Sequence, residues 1–130
     1  MLPKLLLLTE ALVCLLRARV QIRVGQVVPP VNLSRDIRIS GAPTPHPPTR
    51  IARAITIAAR LIPGATCLVR ALAAQRLLAR HGYASNLHIG VANSPETGFE
   101  AHAWIEYQGR ILVGRTDTPY KPLLNWGVAP

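Results

Sequence analysis

The spacing of apolar residues switches at Gly82-Tyr83, and that switch restricts what this chain can fold into. Upstream, apolar residues recur at three- and four-residue intervals, as one face of a helix requires. Downstream they alternate, as a half-buried strand requires. In the first part, Leu5, Leu8, Leu12 and Leu15 or Leu16 mark an N-terminal amphipathic helix. A second helix is expected from Thr49, read as its cap, to Ile62, where Pro63-Gly64 stops it. A third opens at Thr66 and ends near Arg80 or His81, with Gly82 as a left-handed cap. Leu68, Ala71, Leu72, Leu77 and Leu78 make this helix apolar around much of its girth, so it belongs at the centre.

After the switch, Leu87, Ile89 and Val91 share one face of a strand. The segments "EAHAWIEY" and "RILVG" read as two more strands joined by a tight turn at Gln108-Gly109. Helices first and an antiparallel sheet afterwards is the α+β class, with the central helix packed on a small sheet. With 130 residues the chain suits one core. We divide it at residue 48, between an N-terminal helix with a proline-rich arm (1–48) and a core (49–130). The arm carries six prolines between Pro29 and Pro48, which favour extended structure. Short strand pieces are expected there at Gln21–Val28 and Ile37–Ile39, and His46 is expected to be a solvated loop residue. The final segment "TDTPYKPLLNWGVAP" is expected to be irregular.

The net charge is +9, from 15 basic and six acidic residues. Such a balance suits an anionic partner. The arginines are scattered, aromatics make up only 5%, and no nucleic-acid motif is present, which argues against nucleic-acid binding. The N-terminal helix is interrupted by Glu10 and followed by arginines, too short and charged for a membrane span and without a cleavage site. Docking on the domain is the simpler reading, and peripheral membrane contact the alternative. Cys14 and Cys67 are far apart and match no metal spacing, so a reduced, cytoplasmic protein without a metal is expected.

Cys67 falls in the first turn of the central helix. Backbone amides without helical partners and the positive end of the dipole favour an anionic sulfur there, and could hold an oxyanion beside it. A buried structural thiol is the plainer alternative. A nucleophilic thiol needs a base. His81 ends the same helix, roughly 20 Å from Cys67 at 1.5 Å per residue. His88 and His102 both lie on strands. His102, beside a loop, is favoured over His88. For the group that orients the imidazole, hairpin register offers Asp117. If Tyr107 pairs with Arg110, then His102 lies opposite Arg115, and Asp117 shares its face diagonally. A bulge would overturn that register. Glu100, two residues before His102, is a second candidate, and Glu106 is too far along the strand. Trp104 lies on the His102 face, to line a site or fill the core.

The order Cys…His…Asp, helix before sheet, resembles the papain and transglutaminase-like arrangement. More narrowly, "PGATCLVRALAAQRLLARHGYASNLHIGV" followed by "FEAHAWIEYQGRILVG" resembles the transglutaminase-like leader proteases of lasso peptide biosynthesis. The likeness runs from about Arg50 to Leu124. It implies a cysteine peptidase that removes the leader from a ribosomally made precursor, with Cys67 as nucleophile, His102 as base and Asp117 as the third member. It implies no cofactor, metal or ATP. It also implies partners: the precursor peptide, a separate leader-recognition protein and the lasso cyclase. Two other readings stay open, an amidase or acyltransferase of the same fold and a non-catalytic basic binding module.

Overall fold

The structure, a computed structural model, describes residues 2–23, 46–95, 98–114 and 121–127. Helix α1 spans Leu2–Arg23, α2 Pro48–Ala59 and α3 Cys67–Arg80. Strands β1 (Asn86–Ser94), β2 (Gly98–Tyr107), β3 (Arg110–Val113) and β4 (Lys121–Gly127) form one sheet in the order β3-β2-β1-β4. The α+β class expected from the change of period is the one observed.

Leucine, alanine and arginine are strong helix formers, and they carry α1 to Arg23. The strand piece expected at Gln21–Val28 therefore begins as helix. Its remainder and Ile37–Ile39 lie outside the described residues. The face that α1 buries is Leu7, Ala11, Cys14, Leu15 and Ala18, whereas Leu5 and Leu16 are exposed. The buried stripe is thus rotated from the one the leucines suggested. Small residues at Ala11, Cys14 and Ala18 let α1 pack closely on α2 and α3. The opposite face is also apolar, with Leu6, Val13 and Val20 in solvent, so α1 is not amphipathic.

Helix α2 has Pro47 at its cap, with no side-chain hydrogen bond there, and Pro48 at its first turn. The expected cap, Thr49, lies inside the helix. Proline is pre-set for a helix start and lacks the amide a cap would satisfy, so it displaces the threonine. Turns continue past Ala59 to Gly64, whose φ of +78° breaks the chain direction. His46, expected in solvent, is buried at 6% exposure; its carbonyl accepts a hydrogen bond from Tyr83 Oη at 2.7 Å, and its ring meets His81 edge-on at 5.5 Å.

Helix α3 touches α1, α2, β1, β2 and β3. It buries Val69, Leu72, Gln75, Leu77, Leu78 and four alanines. Five consecutive buried positions, Ala71 to Gln75, show that neighbours press on more than one side. Its end is closed by Tyr83 N–H donating to Leu78 O and Gly82 N–H to Ala79 O, with Gly82 at φ +91°. Gln108 and Gly109 both have positive φ, the mirror-image turn that matches hairpin twist. The tail expected to be irregular supplies β4, antiparallel to β1. Pro122 enters a strand because β4 is an edge and Pro122 sits where the register shifts.

Candidate active site

Cys67 is the first residue of α3. Thr66 Oγ1 accepts from Val69 N–H at 3.3 Å, and Thr66 O accepts from Arg70 N–H. Helix geometry leaves the Cys67 and Leu68 amides without intrahelical acceptors. They point outward at the end where the sulfur lies. Cys67 is half-buried and packs against the margin of the core. Cys14, by contrast, is buried in that core, and burial pushes its thiol up against the pull of Arg80, Arg76 and Arg17.

The chain turns back between α3 and β1 over five residues, 81 to 85. Helix α3, which Cys67 opens, packs on β2, and on that strand His102 pairs with Gly90.

Strand pairing sorts the side chains. Leu87 faces Ile105 and Ile89 faces Ala103, on the side turned to the helices. His88, His102, Trp104 and Glu106 alternate with these and share the other face. His88 pairs with Trp104, their rings stacked at 5.5 Å and 11°. His102 lies 6.1 Å from the same indole at 20°. His88 Nε2 also meets Glu106 Oε2 at 3.1 Å. Trp104 is thus an indole platform for two imidazoles, and Glu106, set aside as a partner of His102, engages His88. This His88 connection was not anticipated; it needs the β1–β2 register, which the loop around Pro95 conceals in the sequence.

The hairpin pairing starts as expected, Tyr107 with Arg110 and Glu106 with Ile111. It then shifts, so that Ile105 pairs with Val113 and Leu112 is the extra residue. This bulge overturns the register that set Arg115 opposite His102. Asp117 itself lies outside the described residues. What reaches His102 in this region is the backbone: Nε2 is 2.6 Å from Gly114 O. Gly114 has φ +86°, and a Cβ there would lie 2.8 Å from Ala103 O and 3.0 Å from Trp104 Cβ. Only glycine lets the chain pass so close to β2. Its sequence signal is the glycine ending "RILVG". Glu100 is half-buried on the His102 face.

His81 is at the far end of α3, where Nε2 meets Glu10 Oε2 at 3.2 Å. Among the described residues no group of three metal-ligating side chains converges, and no helix is long and apolar enough to cross a membrane.

No curated protein and no solved structure is significantly similar to the chain. One family model does match, that of the transglutaminase-like superfamily, over residues 9–125. The match takes in α1 from Thr9 onward, all of α2 and α3, the sheet through Asn125, Cys67 and His102. Domains of this kind are typically cysteine-based enzymes, proteases or acyltransferases. The helix-start cysteine and the strand histidine agree with that, and the chain belongs to the transglutaminase-like superfamily.

Proposed function

We propose that this protein is a thiol peptidase that removes the leader from a ribosomally synthesised lasso peptide precursor. The observation that supports it most is the placement of Cys67 in the first turn of a capped central helix. The finer assignment rests on the resemblance of the Cys67 and His102 blocks. In this reading Cys67 Sγ, as thiolate, attacks the carbonyl carbon of the leader–core bond. The oxyanion forms beside the Cys67 and Leu68 amides. His102 gives its proton to the departing amine of the core, leaving the leader as a thioester on Cys67. Water then attacks the thioester, His102 takes its proton and returns it to sulfur, and the leader leaves as a carboxylic acid. The reading requires the Cys67 sulfur to reach the His102 imidazole, which stands on the strand face opposite the one that packs on the helices. A separate leader-recognition protein and the cyclase are the partners this role implies.

The test is incubation of the purified protein with a candidate precursor and recognition partner, read by mass spectrometry. Leader release is expected, and its loss in Cys67→Ala; undiminished release by that variant would falsify the nucleophile. Capture of the acyl group by an added amine in preference to water would make the protein an acyltransferase. Iodoacetamide should modify Cys67 in the native protein and reach Cys14 only on unfolding. A native Cys67 as inert as Cys14 would leave the non-catalytic binding module.

A further inference from the structure

Helix α1 turns an apolar face to solvent. On it Leu6, Val13, Leu16 and Val20 are between 49% and 59% exposed, and Thr9 lies exposed among them. The steps between them alternate: three residues from Leu6 to Thr9, four to Val13, three to Leu16, four to Val20. That is the heptad seam by which one helix packs along another, and valine at a with leucine at d suits a two-helix contact. The positions that a free helix would turn to water are the ones buried here, Ala11, Cys14, Leu15 and Ala18. Through the half-buried Leu12 and Leu8 the seam runs into a groove of about 380 Å³ between α1 and α2, lined also by Leu7, Ala54 and Ile57. Arg50 and Arg53 stand exposed on the α2 side of that groove, and Arg17 and Arg19 flank the seam on α1. Glu10 is the one acidic residue in the two helices, and Arg80 and His81 hold it. Among the described residues none of these four arginines is paired with a carboxylate.

We propose that this surface docks an amphipathic helix of another protein. The apolar stripe of that helix lies along the α1 seam and in the groove, and acidic residues beside the stripe meet Arg17, Arg19, Arg50 and Arg53. The assignment does not depend on the thiol-peptidase reading. Charge selects this occupant over a second copy of the chain, which would bring arginine against arginine in a protein of net charge +9. Shape selects it over a lipid surface. A bilayer would rest on the outer curve of α1 and leave the groove empty, whereas a helix fills it with side chains. Helix α1 is already ordered against the core, so the docking helix is the one that loses freedom on binding.

The test titrates the purified full chain into a fluorescein-labelled peptide of three heptads, with isoleucine at a, leucine at d and glutamate at e and g. Binding is read by fluorescence anisotropy, and the same peptide with lysine at e and g is the control. The glutamate peptide should bind at least about tenfold more tightly than the lysine peptide at low salt, and more weakly as salt is raised. Val13→Lys and Arg53→Glu change exposed residues, so both should keep the fold in urea titration, and each should weaken the glutamate peptide by about tenfold or more. Should Val13→Lys not fold, Arg53→Glu decides. Equal binding of the two peptides, no binding of either, or no loss in the variants would overturn the proposal. Sedimentation of the chain alone as a dimer that Val13→Lys dissociates would overturn it in favour of a second copy. Binding to phosphatidylglycerol vesicles without binding of the glutamate peptide would overturn it in favour of a lipid surface.

Discussion

His46 shows at the scale of one residue how burial reverses a surface expectation. Its neighbours in the sequence are prolines, which suggest an open loop, yet its ring is enclosed against His81 and its carbonyl is held by Tyr83. Burial first, and then the charges of His81 and Arg50, hold its imidazole below the usual 6.5, while Glu10 pulls the other way. A folded value below the unfolded one means that the unfolded chain binds this proton at higher pH. The folded state then loses stability as the pH falls below about 6.5. Urea denaturation between about pH 7 and pH 5 should show that decline. In His46→Gln the decline should be shallower, and an identical slope would assign it to other groups.

Helix α3 was the most legible element, because its start, stop and centrality all rest on local chemistry. The Thr66 cap, the Gly82 terminator and the apolar girth act within a turn or two of themselves. Thr66→Ala should cost about 1 kcal/mol of stability. If Cys67 depends on the ordered first turn, its alkylation rate should change in the same variant, and an unchanged rate would separate cap from reactivity. The elements that local sequence does not specify depend on long-range pairing. Strand β4 looked irregular because Pro119 and Pro122 break its pattern, and only β1 beside it makes a strand of it. The same holds at the site. Cys67 and His102 could be singled out from helix and strand position, while the shift at Leu112 is a property of two strands together. Thr49 failed as a cap because Pro48 was better suited to the first turn.

Across the whole molecule, the helices lie on one face of the sheet, with α1 as the outer member touching α2 and α3. Both sides of α1 are leucine-rich, so its orientation was the feature least legible from apolar spacing. The structure distinguishes adjacent residues, Leu15 being fully buried and Leu16 49% exposed. Leu15→Ala should lower stability by about 2–5 kcal/mol in urea titration. Leu16→Ala should stay within about 0.5 kcal/mol. Equal costs would mean that α1 docks in a different rotation.

The bulge that brings Gly114 to His102 acts a second time at the rim of the sheet. Strand β3 is one edge and has only four residues, already out of register by its third. Strand β4 is the other, where Pro122 contributes no N–H and the ladder shifts against β1. A neighbouring chain seeking to extend the sheet finds on neither side a long, regular row of donors and acceptors. The irregularities of this hairpin and tail thus guard a small, leucine-rich protein against growing strand by strand into aggregates.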